Sequence, residues 1–79
     1  MKNPLEVKAF GVHLRQLRDA KNFSQQELAD LADVAKITIQ RIENGKYSAT
    51  IDVLISIARA LKISLSDLLA FITPKVRKK

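Results

Sequence analysis

The sequence predicts an all-α fold of five short helices. Apolar residues recur at helical spacing in successive segments, Asn, Ser or Thr stands just ahead of several of them, and no stretch alternates apolar with polar residues as a strand does. With 79 residues, 47% of them hydrophobic, the chain makes one small domain, near the size at which a single core suffices only if every apolar stripe is used. The lack of cysteine excludes a disulfide framework and a thiolate metal site, and a single His leaves no ligand set for zinc. MKNPLEV has no apolar signal-peptide segment, and Asp52, Arg59, Lys62 and Asp67 interrupt the apolar stretches well short of a membrane span. A cytoplasmic protein with no membrane partner is expected.

Asn3, Pro4 and Glu6 read as the N-cap, the N1 proline and the capping-box partner of the first helix. Phe10, Leu14 and Leu17 give it a buried face, with Lys8, Arg15 and Asp19 off that stripe. Gly11 costs about 1 kcal/mol of helix propensity, so it either permits close approach of another helix or is a tolerated surface glycine. Lys21-Asn22 ends the helix, since a cation suits the C-terminal dipole and Asn accepts the left-handed conformation. Ser24 and Glu27 form the Ser-x-x-Glu start of a second helix, which buries Leu28, Ala29 and Ala32 before Asp33-Val34 turns into the third.

On the third helix, residues 35–44 at about 100° per residue place Ala35, Ile39 and Ile42 on one stripe, with Thr38 and Glu43 at its edges. Lys36, Ile37, Gln40, Arg41 and Asn44 occupy the other side. Asn44-Gly45 follows helical periodicity, so Gly45 reads as the residue after the helix C-cap and not as half of a hairpin turn. Residues 46–49 form a loop, and Thr50 caps a fourth helix with Ile51, Leu54, Ala58 and Leu61 at helical spacing and Ile55 and Ile57 beside them. Ser64, with Asp67 three residues on, caps a fifth whose Leu65, Leu68 and Leu69 close the core, and Thr73-Pro74 stops it. The domain is expected to span 1–72, followed by a basic tail at 73–79.

The net charge of +6 suits a polyanionic partner, but four of the fourteen Lys and Arg residues lie after Pro74, leaving ten against eight acids in the domain. Charge alone therefore does not establish nucleic-acid binding, and the tail reads either as a phosphate-following segment or as a solubilising end. The outward set on the third helix is more informative. Lys and Arg donate to guanine edges and phosphates, Gln and Asn pair with adenine, and an aliphatic side chain packs on a thymine methyl. The same residue types are also ordinary on a solvated helix. His13 has no second His, Cys or carboxylate at ligand or triad spacing and reads as a surface residue, and Ser56, Ser64 and Ser66 have no paired base. No catalytic residue, metal site, cofactor or small-molecule ligand is expected.

Three segments, FGVHLRQLRDAKNFSQQELADLA, ITIQRIENGK and TIDVLISIARALKISLSDLL, run in order over about residues 10–69. Together they resemble the lambda-repressor-like helix-turn-helix family of the XRE or Cro/C1 type. The resemblance implies a compact five-helix DNA-binding domain whose helix-turn-helix is made by helices 2 and 3. It also implies sequence-specific binding of double-stranded DNA, with helix 3 in the major groove and helix 2 crossing above it. On matching positions Lys36, Ile37 and Arg41 would approach base edges with Thr38 and Gln40 nearby. Gln25 and Asn44 would hold the backbone, Lys46 would add a phosphate contact, and the free N–H groups at Ser24 and Gln25 suit a phosphate. Arg18 and Glu43 match a structural ion pair of the family.

Two residues depart from the family pattern. Asp33 stands where Gly is usual in the turn, and Ala35, which cannot cap, stands where Ser or Thr is favoured. The expected function is a transcriptional regulator, a repressor, on a two-fold-related operator. A homodimer is implied, and in a chain of this length it must use the domain itself, with Val53, Phe71, Ile72 and Val76 as candidate contacts. An antitoxin-like or restriction–modification controller role is an alternative that the residues do not separate. A protein-interaction module whose helix 3 face binds an acidic protein is an alternative of another class.

Overall fold

Five helices follow one another along residues 3–71, the part of the chain that the computed structural model describes: α1 (Pro4–Ala20), α2 (Gln25–Ala32), α3 (Lys36–Glu43), α4 (Ile51–Leu61) and α5 (Leu65–Leu68). Leu14 of α1, Leu28 of α2, Ile39 and Ile42 of α3, Ile57 and Leu61 of α4 and Leu68 of α5 are each no more than 1% exposed. Every helix thus commits at least one aliphatic side chain to a common centre, each stabilising the fold by about 1.5–3 kcal/mol. Packing of α2 on both α3 and α4, and of α1 on α3, encloses that centre. A single turn such as α5 is too short to persist alone. Its Leu68 anchor and its Ser64 cap, where Oγ accepts the Asp67 N–H at 2.9 Å, hold it in place.

Four of the helices end in the same way. Asn22 (φ 61°), Asp33 (φ 58°), Gly45 (φ 71°) and Lys62 (φ 60°) adopt the left-handed conformation just past α1, α2, α3 and α4. At each end this residue and its successor donate backward, as Asn22 N–H to Asp19 O at 2.9 Å and Phe23 N–H to Arg18 O at 3.2 Å. The pattern satisfies the last carbonyls of a helix in a Schellman arrangement. At three ends the following residue is apolar, and Phe23, Val34 and Ile63 pack against the core. After α3 that position is Lys46, which is exposed.

Several expectations are corrected by this geometry. Asn3 occupies the N-cap of α1 but forms no side-chain bond, so its capping box with Glu6 is absent. Its ψ of 62° lies outside the extended region that aims a capping side chain, whereas Ser24, Thr50 and Ser64 have ψ between 157° and 168°. Ala35 is exposed because it is the N-cap residue that precedes α3 and does not share its buried stripe. On α4 the inward face is Leu54, Ile57, Ala58 and Leu61, while Ile51, in the first turn, is 61% exposed. His13 is half-buried: its Nε2 lies 3.4 Å from the Asp67 carbonyl and its ring 6.2 Å from that of Phe71, so it joins α1 to α5.

The candidate dimer contacts Val53 and Phe71 both pack against the core, Phe71 with its ring 5.5 Å from that of Phe10. Helix α5 stops at Leu68 because the Ala70 N–H turns back to Asp67 O, which carries the chain round to Phe71. Ile72, Thr73-Pro74, Val76 and the rest of the 73–79 tail lie outside the described residues.

Gly11 resolves in favour of close approach. It is buried where α1 crosses α3, and a Cβ there would collide with the Ile42 carbonyl oxygen and lie 2.8 Å from that of Glu43. Both obstacles are backbone, so neither can move aside cheaply. Gly11→Ala gains about 1 kcal/mol of helix propensity yet is expected to lower the unfolding free energy in urea by about 1–3 kcal/mol, because overpacking outweighs propensity. Asp33→Gly has the opposite sign. Relief of the left-handed strain and removal of an acid from a helix C-terminus are expected to raise that free energy by about 1 kcal/mol.

Candidate nucleic-acid interface

The last turn of α3 carries a carboxylate that three elements share. Arg18 of α1 donates from Nε to Glu43 Oε2 at 2.7 Å and from Nη2 to Oε1 at 3.0 Å, a two-pronged contact that matches the planar fork to the carboxylate. Nη1 of Arg18 donates to the Phe23 carbonyl at 2.8 Å and lies 3.4 Å from Asp19 Oδ1. Gln25, first residue of α2, donates its amide nitrogen to Glu43 Oε1 at 3.0 Å. The Arg18 and Glu43 side chains are only 10% and 3% exposed. The hydrogen bond to Glu43 holds the Arg18 guanidinium above its ordinary pKa against the lowering effect of burial, with the Glu43 and Asp19 charges adding to the rise. A cation with a raised pKa contributes its full stabilisation at every pH below its ordinary unfolded-chain pKa. Arg18 therefore stays charged throughout the ordinary pH range.

This network fixes the orientation of α3. Ile39 and Ile42 face the core, Glu43 is clamped at the inner edge, and Lys36, Ile37, Arg41 and Asn44 are exposed. Ile37 keeps 49% of its surface in solvent. Thr38 and Gln40 are half-buried, so they border the exposed set without leading it. Lys46 is exposed just past Gly45, its N–H bonded to Arg41 O at 2.8 Å.

The start of α2 differs from its expected state in two ways. Ser24 does not offer a free N–H, because that group is given to Glu27 Oε1 at 2.7 Å while Ser24 Oγ accepts the Glu27 N–H at 3.0 Å. The closed capping box also leaves a carboxylate beside Ser24, which disfavours an anion at that residue. Gln25, expected as a backbone contact, is half-buried and bound into the Glu43 network. An amide nitrogen carries two hydrogens, so one can hold Glu43 while the second remains for a phosphate oxygen. This double use depends on where α3 ends relative to α2, which residue spacing does not encode.

Helix α3 begins without a side-chain cap, since Ala35 has none to offer, and its start is held by the Thr38 N–H to Ala35 O bond at 3.0 Å. Among the described residues, no helix is long and apolar enough to cross a membrane. Truncating Arg18 leaves Glu43 desolvated and with Gln25 alone. Arg18→Ala is expected to cost about 3–5 kcal/mol in thermal or urea unfolding, and Gln25→Ala, which leaves the charge pair intact, about 1–3 kcal/mol.

Known proteins resemble this chain in both sequence and fold. A helix-turn-helix family model matches residues 14–68. The control protein C.BamHI of Bacillus amyloliquefaciens is 38% identical over 65 residues, spanning 81% of this chain and 80% of its own length. Among solved structures, the restriction-modification controller protein C.AhdI from Aeromonas hydrophila superposes with a TM-score of 0.77 at 32% identity, over 78% of this chain and 94% of that one. The clp gene regulator ClgR from C. glutamicum gives a TM-score of 0.79 at 30% identity, over 85% and 86% of the two chains. The chain belongs to the helix-turn-helix family of the XRE type and is a transcriptional regulator.

Proposed function

We propose that the protein regulates transcription by binding a two-fold-related operator in duplex DNA as a homodimer, each copy laying α3 in the major groove. The observation that carries this reading is the division of α3: a clamped inner edge at Ile39, Ile42 and Glu43, and an outer edge that exposes Lys36, Ile37 and Arg41 together. Lys36 and Arg41 supply donors for guanine edges or phosphates, and Ile37 an apolar surface for a thymine methyl. Thr38 and Gln40 flank them, while Asn44, Lys46 and the second amide hydrogen of Gln25 serve the backbone. Two such helices about 34 Å apart meet successive major-groove faces. The reading domain is residues 1–72, the tail at 73–79 lies outside it, and the work is done in the cytoplasm.

Selection of bound duplexes from a random pool tests this reading. The wild-type protein is expected to recover one palindromic sequence, and Lys36→Ala or Arg41→Ala to relax the preference at particular positions at a cost of about 1–3 kcal/mol each. Uniform weakening across all sequences would instead make these residues phosphate contacts. No preference at any salt concentration would favour a protein-interaction module.

Within this reading, a restriction–modification controller role is favoured by the likeness to C.BamHI and C.AhdI, which extends over 80% and 94% of their lengths. The selected operator is then expected beside a restriction endonuclease gene in the source genome.

A further inference from the structure

The residues assigned so far to the duplex lie on α2, on α3 and just after it, yet α1 runs alongside the same end of α3. A Cβ at Gly45 would stand 3.1 Å from Lys8 Cα and 3.2 Å from Lys8 Cβ, so the base of the Lys8 side chain rests on the turn that closes α3, next to Lys46. Farther along α1, Gly11 meets the Ile42 and Glu43 carbonyls and Arg18 grips the Glu43 carboxylate. Lys8, Gly11, Arg15 and Arg18 follow one another at intervals of three, four and three residues, which places them on one edge of the helix. Gly11 and Arg18 are buried against α3, whereas Lys8 and Arg15 are exposed. Among the described residues, Arg18 alone makes ion pairs, including that with Asp19, the acid nearest this edge in sequence.

We infer that this edge of α1 is a second phosphate-contacting row, in which Lys8 and Arg15 join Lys46 along the backbone beside the groove that α3 enters. The row rests on the duplex-binding reading above and extends it to a helix outside the helix-turn-helix. Two observations support it independently of composition. Lys46 occupies the position that the ends of α1, α2 and α4 give to a packed apolar residue, so this helix end forgoes a core contact and presents a cation. Lys8 is held by the base of its side chain against the same turn, so two exposed lysines stem from one place at the end of α3, where a polyanion can meet both. Lys8 and Arg15 are separated by about 10 Å along the helix, so they meet different phosphates. The electronegative C-terminus of α3 is the competing reason for cations here.

Lys8→Gln and Arg15→Gln, singly and together, separate these reasons, with Arg59→Gln on α4 as an exposed cation outside the row. Affinity for the selected duplex and for a random duplex is measured across a series of salt concentrations, and thermal unfolding is followed in parallel. Because a dimer carries each substitution twice, each row substitution is expected to reduce the slope of log affinity against log salt by about 1.8, or about 0.9 per protomer, on both duplexes while base preference is unchanged. Arg59→Gln is expected to leave the slope unaltered. Wild-type slopes in the double variant, with preference for the selected duplex intact, overturn the row and leave the proposed function standing. A lowered unfolding temperature at unchanged slope also overturns it and assigns the cations to the α3 dipole. A wild-type protein without sequence preference overturns the operator reading instead, while the slopes on random duplex still judge the row.

Discussion

A carboxylate with 3% of its surface in water must have its charge answered from within the protein, and the position of α3 depends on how Glu43 meets that demand. Arg18 supplies two parallel donors from α1, and Gln25 a third from the opening residue of α2. Each acceptor oxygen is engaged, so the pair avoids the penalty of a half-satisfied buried ion. The aliphatic contacts of Ile39 and Ile42 hold α3 against the core, but they are non-directional. Three directed hydrogen bonds at one end add what packing lacks, a fixed rotation about the helix axis.

Helices of eight residues gain little from intrinsic propensity, and their ends decide whether they exist. Here the starts of α2, α4 and α5 are closed by Ser24, Thr50 and Ser64, and the ends of α1 to α4 by left-handed residues. Only one of the four left-handed residues is glycine. Asn22 and Asp33 tolerate the conformation better than most side chains, and Lys62 bears it while Ile63 packs beyond it. The apolar residue that follows the turn offsets the strain in three cases, and at α3 glycine removes the strain outright.

Much of this architecture was legible in the residues. Ser24 with Glu27 and Ser64 with Asp67 located helix starts because capping is a local interaction between neighbours in sequence. Leu14, Leu28, Ile39 and Ile42 were readable as core from spacing alone. Features that depend on relative helix placement were less accessible. Ile51 and Ile57 share the composition of one apolar helix, and only the neighbours of α4 decide which of them is buried. Gly11 had two equal explanations until the path of α3 was known, and the closeness of Lys8 to Gly45 had no signal of its own. Asn3 showed the limit of motif reading: the residue types of a capping box were present, but its ψ angle prevented their closure.

The crossing of α1 over α3 has a consequence for how the protein opens. Gly11 lies against the carbonyls of Ile42 and Glu43, and Arg18 holds the side chain of the latter, so one helix touches the last turn of α3 through both backbone and carboxylate. A surface helix of this length would ordinarily be free to fray as a separate unit of low stability. Here, releasing the last turn of α3 requires breaking the charge pair and opening the α1 packing together. The amides of that turn therefore belong to the same cooperative unit as the core, and α3 is held at that end as firmly as the core itself.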